Sequence, residues 1–337
     1  MGRCRTGAAL VVLSAVLACE PRRGPTEVRE ELALRERRTA ARIDTALAAA
    51  EPDALERQPI ARWVLPPVLK EVSGLALTAD GRLLAHNDER AVVYEVDYVR
   101  GIIAKAFSLG QRPALGDFEG IAVAQGRVFL LTSDGRLFES AEGLDGERLP
   151  YRVHDTRLGQ ECEFEGLAYD PDERALVLAC KEMLRGEYEE TLALFRWPLP
   201  AARTPLGGRE RLPTRILLHL ASVASRLGGE LDELSPSGIE RDPRTGHYLL
   251  LAARERLLVE LTPRGEVVAV RTLPETLQQP EGLAIAERGL LFLADEAGQR
   301  PATVTVFPFG AAAQPAATES ERTDSTPADS TAAGAGR

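Results

Sequence analysis

The chain has 337 residues, a formal net charge of -10 at pH 7, and 44% hydrophobic and 27% charged residues. An acidic surplus of this size argues against non-specific nucleic-acid binding, which needs basic patches to neutralise phosphates. Without its polar ends the chain leaves about 250 residues, enough for one all-β domain or two smaller ones. Of the 41 basic residues only Lys70, Lys105 and Lys181 are lysines, a compositional bias that carries little functional information.

The first segment reads as a targeting signal. Arg3 and Arg5 precede the apolar run Gly7–Ala18, whose 12 residues fall short of the ~20 that cross a bilayer as a helix. Val16-Leu17-Ala18-Cys19 resembles a bacterial lipobox, so residues 1–18 are expected to be removed and the Cys19 thiol to take a lipid such as palmitate. The alternative is ordinary secretory cleavage with an incidental cysteine. Glu20 stands where inner-membrane retention prefers aspartate, which points to the outer membrane. Residues 19–59 are highly charged. Val28 with Leu32, and Ile43 with Leu47, fall four apart as on a narrow helical stripe, and the segment is expected to be a partly helical stalk.

The body repeats itself. Ser73-Gly74-Leu75-Ala76, Glu119-Gly120-Ile121-Ala122, Glu165-Gly166-Leu167-Ala168, Ser237-Gly238-Ile239-Glu240 and Glu281-Gly282-Leu283-Ala284 share a polar residue, a glycine and an apolar strand. The glycines are 46, 46, 72 and 44 residues apart, and ~40–50 residues make one four-stranded propeller blade. Second strands follow turns rich in Gly, Pro and Asp, such as Ala79-Asp80-Gly81 and Asp242-Pro243-Arg244-Thr245-Gly246. Third strands carry signatures such as Val93-Tyr94-Glu95-Val96, and fourth strands fall at Ile102–Phe107, Tyr151–His154, Thr214–His219 and Val267–Arg271. The fifth unit lacks a fourth strand, while Ile60–Leu65 stands ahead of the first unit without a partner. This segment is therefore expected to complete the last blade and close the ring, which also removes two sheet edges. The fold is all-β, a five-bladed β-propeller over residues 60–310, with six blades as the fallback. The excess in the third unit is assigned to loops near Glu182–Glu190 and Leu199–Leu212 and a helical connection near Leu220–Leu231. Residues 311–337 lack any apolar period and are expected to be disordered.

Of the four cysteines, Cys4 leaves with the signal and Cys19 is the lipid site. Cys162 and Cys180 remain, a disulfide candidate in an oxidising compartment or else two buried thiols.

Glu71-Val72-Ser73-Gly74-Leu75-Ala76, Asp117-Phe118-Glu119-Gly120-Ile121-Ala122, Glu163-Phe164-Glu165-Gly166-Leu167-Ala168 and Pro236-Ser237-Gly238-Ile239 resemble, as a set, the SdiA-regulated domain family. These are bacterial exported propellers distantly similar to NHL-repeat proteins. The resemblance runs from Arg62 to Phe309 and implies a five-bladed propeller, a calcium ion in some members and a binding role.

The first strand of a blade lies nearest the channel. If the residue before each glycine faces inward, the ring presents Ser73, Glu119, Glu165, Ser237 and Glu281. Three carboxylates there repel unless protonated, hydrated or bridged by a cation. Calcium, with six to eight oxygen ligands, fits, and Glu119, Glu165 and Glu281 are its candidate ligands. The alternative is that these glutamates bond to neighbouring backbone N–H groups and tie blades together. Asn87-Asp88, Ser133-Asp134 and Asp295-Glu296 end second strands, where they either line one mouth of the channel, with Asp88 a candidate lining residue, or are ordinary solvated strand ends. His86, His154, His219 and His247 show no paired ligand spacing. No GxSxG, P-loop or Rossmann glycine pattern occurs. Two functions follow: a lipid-anchored, calcium-stabilised envelope module binding a protein, glycan or small ligand at one face, or a calcium-dependent phytase- or lactonase-like hydrolase with His86 or Asp88 as base.

Overall fold

The computed structural model of the chain describes residues 25–48, 55, 59–184, 190–199 and 212–310. The expected signal peptide, Cys19, the tail at 311–337 and most of the two third-unit loops lie outside the described residues.

Five four-stranded antiparallel units follow one another around a ring. The first blade is built from β2 (Val72–Leu77), β3 (Leu83–Asn87), β4 (Val92–Asp97) and β5 (Ile102–Leu109). The second has β6 (Phe118–Ala124), β7 (Arg127–Thr132), β8 (Arg136–Ala141) and β10 (Tyr151–Asp155). The third has β11 (Cys162–Asp170), β12 (Ala175–Met183), β13 (Thr191–Pro198) and β14 (Thr214–His219). β15 (Gly238–Arg241), β16 (Tyr248–Ala252), β17 (Leu257–Leu261) and β18 (Val267–Thr272) make the fourth. The fifth combines β19 (Pro280–Ala286), β20 (Leu290–Asp295) and β21 (Thr303–Pro308) with β1 (Ala61–Val64) from the other end of the body. β1 pairs antiparallel with β21, Ala61 opposite Val306 and Val64 opposite Thr303, so the expected closure is present. Helix α2 (Leu220–Leu227) supplies the connection expected between the third and fourth blades.

Each blade packs both faces on neighbours, so middle strands read as unbroken apolar runs rather than alternating ones. All residues of β16, β17, β20 and β21 are buried. The core is accordingly five clusters, one per interface between blades. The cluster holding Leu75, Leu83, Ala284 and Phe292 joins the fifth blade to the first.

The ring glycines sit where inner strands converge. A Cβ on Gly74 would meet Ile121 Cγ2 at 3.1 Å, one on Gly120 would meet Leu167 Cβ at 2.8 Å, and one on Gly282 would meet Leu75 Cγ at 2.8 Å. The missing side chain of one blade thus admits the Leu or Ile of the next, and the contact from Gly282 to Leu75 completes the circle.

Two features lie outside the repeat. β9 (Arg148–Leu149) adds a fifth, parallel strand to the first blade, against β5, before the chain turns back to form β10. Helix α1 (Pro25–Ala48), within the segment expected to be a stalk, lies against the ring. Its Ile43 is 2% exposed among Ile60, Leu65 and Val306, Arg35 stacks over Trp63 with 5.6 Å to the ring centre, and Glu36 pairs with Arg100 at 2.9 Å. Cys162 and Cys180 are disulfide-bonded, with Cα atoms 5.7 Å apart, on the neighbouring strands β11 and β12.

Candidate functional site: the acidic mouth of the channel

The inner strands β2, β6, β11, β15 and β19 each touch the next around the axis. In four of them the ladder to the second strand slips at the residue before the glycine, between Val72 and Gly74, Phe118 and Gly120, Phe164 and Leu167, and Pro280 and Gly282. A β-bulge re-aims its unpaired residue. Ser73, Glu119, Glu165 and Glu281 are therefore turned out of the ladder at one mouth of the channel, with Ser237 just ahead of β15.

Their partners differ. Ser73 Oγ donates to Glu119 Oε2 across the first two blades at 2.9 Å, and Ser237 Oγ donates to Pro280 O at 2.8 Å across the fourth and fifth. Both contacts tie blades together. Glu165 meets the Lys181 ammonium from β12 at 2.5 Å. Glu281 shares its surroundings with Glu296, which follows β20, and each carboxyl shifts the other. Burial pushes the Glu119 carboxyl up to about 7, with the charge of Glu165 adding to it and the Ser73 hydroxyl opposing it. Burial raises Glu281 to about 9, helped by Glu296, Glu165 and Glu119. Glu165 is raised by burial against the lowering pull of Lys181. One acidic field thus links the three glutamates.

Around them stand acceptors without donors. His86 is fully buried on β3, and its Nδ1 lies 2.9 Å from Asn87 O. That contact fixes the proton on Nδ1 and leaves Nε2 a bare acceptor. His86 Nε2, Asn87 Oδ1 and Asp88 Oδ1 are buried with no hydrogen-bond partner among the described residues. The ring of His86 fills the space a Gly74 side chain would take, Nε2 lying 2.4 Å from the position of a Cβ. In three of the other blades that register position holds Leu131, Leu251 or Ala294, and in the third blade the ladder slips past Gly166, so the imidazole is an exception within the repeat. Burial also raises Asp88, with Glu71 adding to it. Asp295 is committed elsewhere, accepting from Gln278 N and Gln279 N at 2.7 Å each, and Ser133 Oγ donates to Asp117 at 2.7 Å.

Oxygen ligands, mutually repelling carboxyls and buried acceptors lacking donors are the kinds of group a hard cation such as calcium takes. Among the described residues no three His, Cys, Asp or Glu side chains converge as a ready cluster, so Glu119, Glu165 and Glu281 would have to draw together around a cation to share it. Lys181 is the residue that sequence reasoning missed. Its only signal was rarity, one of three lysines in the chain.

A family model described as SdiA-regulated matches residues 56–299. Among solved structures, the chain is similar to the glutaminyl cyclase of Myxococcus xanthus, with 15% identity, 77% of this chain and 99% of that one covered, and a TM-score of 0.48. It is also similar to the PQQ-bound aldose sugar dehydrogenase of Streptomyces coelicolor, at 17% identity, 74% and 98% coverage and a TM-score of 0.46. The Cps50 (Swd1) β-propeller domain of Myceliophteria thermophila matches at 11% identity, 67% and 62% coverage and a TM-score of 0.36.

Proposed function

The chain belongs to the SdiA-regulated family, and from that premise we propose that it is a lipid-anchored envelope module. Its acidic channel mouth binds calcium and presents a rigid face to a protein, glycan or small ligand. The observation that carries this reading is the unbalanced chemistry of the mouth. Glu119 and Glu281 are pushed up to about 7 and about 9, and His86, Asn87 and Asp88 offer acceptors that no described residue satisfies. A bound divalent cation supplies the missing positive charge, with Glu119, Glu165 and Glu281 as its carboxylates. Anchoring rests on the lipobox-like run ending at Cys19, and the outer membrane on Glu20.

A hydrolase needs an accessible base beside the cation. His86 is 0% exposed and held near 4 by burial, so its nitrogen is better suited to accept from a neighbour than to take protons from solvent. This argues against His86 as a base and leaves Asp88, half-buried with its carboxyl raised by burial, as the base a hydrolase would use.

Calorimetric titration of the mature protein with calcium tests the proposal. One saturable site should appear, weakened about tenfold or more by Glu119→Gln, the change that ~1.4 kcal/mol produces. Lys181→Met should tighten calcium by removing a resident cation. Absence of heat in the wild type, or unaltered affinity in Glu119→Gln, would contradict the site.

A further inference from the structure

At the end of the inner strands away from the glutamates, the repeat breaks in one blade. Two residues past the ring glycine, four blades carry Ala76, Ala122, Ala168 and Ala284, none more than 3% exposed. The fourth blade carries Glu240. The position after it is Leu77, Val123, Tyr169 or Ile285 in four blades and Arg241 in the fourth.

All five blades contribute to a basin of about 860 Å³ at this end, into which Glu240 opens. That volume suits a small organic ligand. Its walls include Leu77, Val123, Ile285, Tyr98 and Tyr169. Arg241 does not neutralise Glu240. Its guanidinium turns to Asp170, at 3.5 Å, and to Asp172, and only its backbone N–H reaches Glu240 Oε1, at 2.8 Å. Arg82 on the rim is likewise committed to Asp80, Glu95 and Glu142. With Glu240 ionised, the charged lining holds one more acid (Asp80, Glu142, Glu240, Glu287) than base (Arg82, Arg241, Arg288). Burial pushes Glu240 up to about 8, with Arg241 opposing and Asp242 adding to it.

Alanine serves the fold in four blades, while a deep carboxyl whose nearest guanidinium bonds elsewhere costs stability. The fold gives this acid one backbone hydrogen bond, from Arg241 N, and no side-chain partner among the described residues. A cationic ligand would supply the missing one.

We propose that this basin is a second ligand site, independent of the acidic mouth, and that it takes an organic cation. The ligand is an amine with an apolar body, its ammonium on the Glu240 carboxylate and its hydrocarbon along Leu77, Val123 and Ile285. The basin discriminates by charge at its throat and by apolar area at its walls. Burial raises the Glu240 carboxyl to about 8, so forming this ion pair at pH 7 is expected to release protons from the carboxyl that gains the ammonium.

The test is calorimetric titration of the mature protein with n-octylammonium at pH 7, with and without calcium, in two buffers of different ionisation enthalpy. One saturable site is expected, unaffected by calcium, releasing up to one proton per amine. Ethylammonium should bind at least tenfold more weakly and octanoate not at all. Glu240→Ala installs the residue of the other four blades and should keep the melting temperature or raise it while weakening octylammonium at least tenfold. Glu240→Gln, which keeps the side-chain shape, should show the same loss. The proposal is overturned if octylammonium does not saturate, if both variants bind it as the wild type does, or if octanoate binds equally well. Binding that calcium abolishes would place the amine at the acidic mouth and overturn it too.

Discussion

Glu119 and Glu281 hold protons in the folded protein that an exposed glutamate would lose. Their folded values, about 7 and 9, lie above the ordinary carboxyl value. Between that value and the folded ones the native state binds more protons than the unfolded state, so stability falls as pH rises. Below the ordinary value both states are protonated and the effect vanishes. In chelator, the melting temperature should therefore decline from pH 5 to pH 9. Calcium, which favours the charged form, should flatten that decline. A pH-independent melting temperature in chelator would contradict the burial of these carboxyls. The ring glutamates were legible because each precedes a repeated glycine. The identity of their partners was not. Lys181 reaches Glu165 from the second strand across a ladder that slips beside Phe164, and residue spacing does not announce a bulge. Glu240 was visible in the repeat itself, yet its isolation depended on where Arg241 turns.

At the scale of the element, β1 matters more than its four residues suggest. It covers the edge of β21, and Leu65 just beyond it is buried in the cluster between the fifth and first blades. Deleting residues through Leu65 should expose that edge and produce aggregates on gel filtration. Deletion through Ala48 removes α1 and the buried Ile43, a loss of about 1.5–3 kcal/mol for one fully buried aliphatic side chain. That variant should stay monomeric and melt at a lower temperature. Identical behaviour of the two truncations would contradict the closure. The hairpins were readable because their turn residues are specific. Gln125 and Gly126 join β6 to β7 with φ of 53° and 72°, the left-handed pair that a two-residue loop demands. β9 was not readable, since two residues without apolar pattern give no strand signal. The docking of α1 rests on Ile43 and Thr39, with Arg35 on Trp63 and Glu36 on Arg100, and so few apolar positions in a charged sequence do not reveal which surface will cover them.

Across the whole molecule the blade count follows from the glycine period, and the structure gives the period its cause. Inner strands meet so closely that glycine in one blade must admit an aliphatic side chain from the next. Gly120→Ala should then cost about 1–3 kcal/mol, the range for overpacking. The reason is that the added Cβ would stand 2.8 Å from both Leu167 Cβ and Leu167 N, and backbone cannot yield as a side-chain tip does. Urea denaturation would show the loss as a lower midpoint with an unchanged slope. A neutral result would mean that the ring can spread. The 72-residue interval in the third unit fits the same plan, because α2 and the connection around it occupy part of the excess. What the period could not supply was the difference between the two ends of the channel, one carrying three glutamates and two serines before the ring glycines and the other opening around Glu240, the acid that replaces the repeated alanine.

Crystals of the mature protein grown in calcium test the cation at the acidic mouth most directly. Anomalous difference maps collected at long wavelength would report the metal itself rather than its effect on stability. The prediction is one calcium peak on the channel axis with oxygen ligands from Glu119, Glu165 and Glu281, and water completing the shell. A mouth with no anomalous peak, in which Lys181 remains on Glu165 and hydrogen-bonded water fills the space beside Asp88, would contradict it.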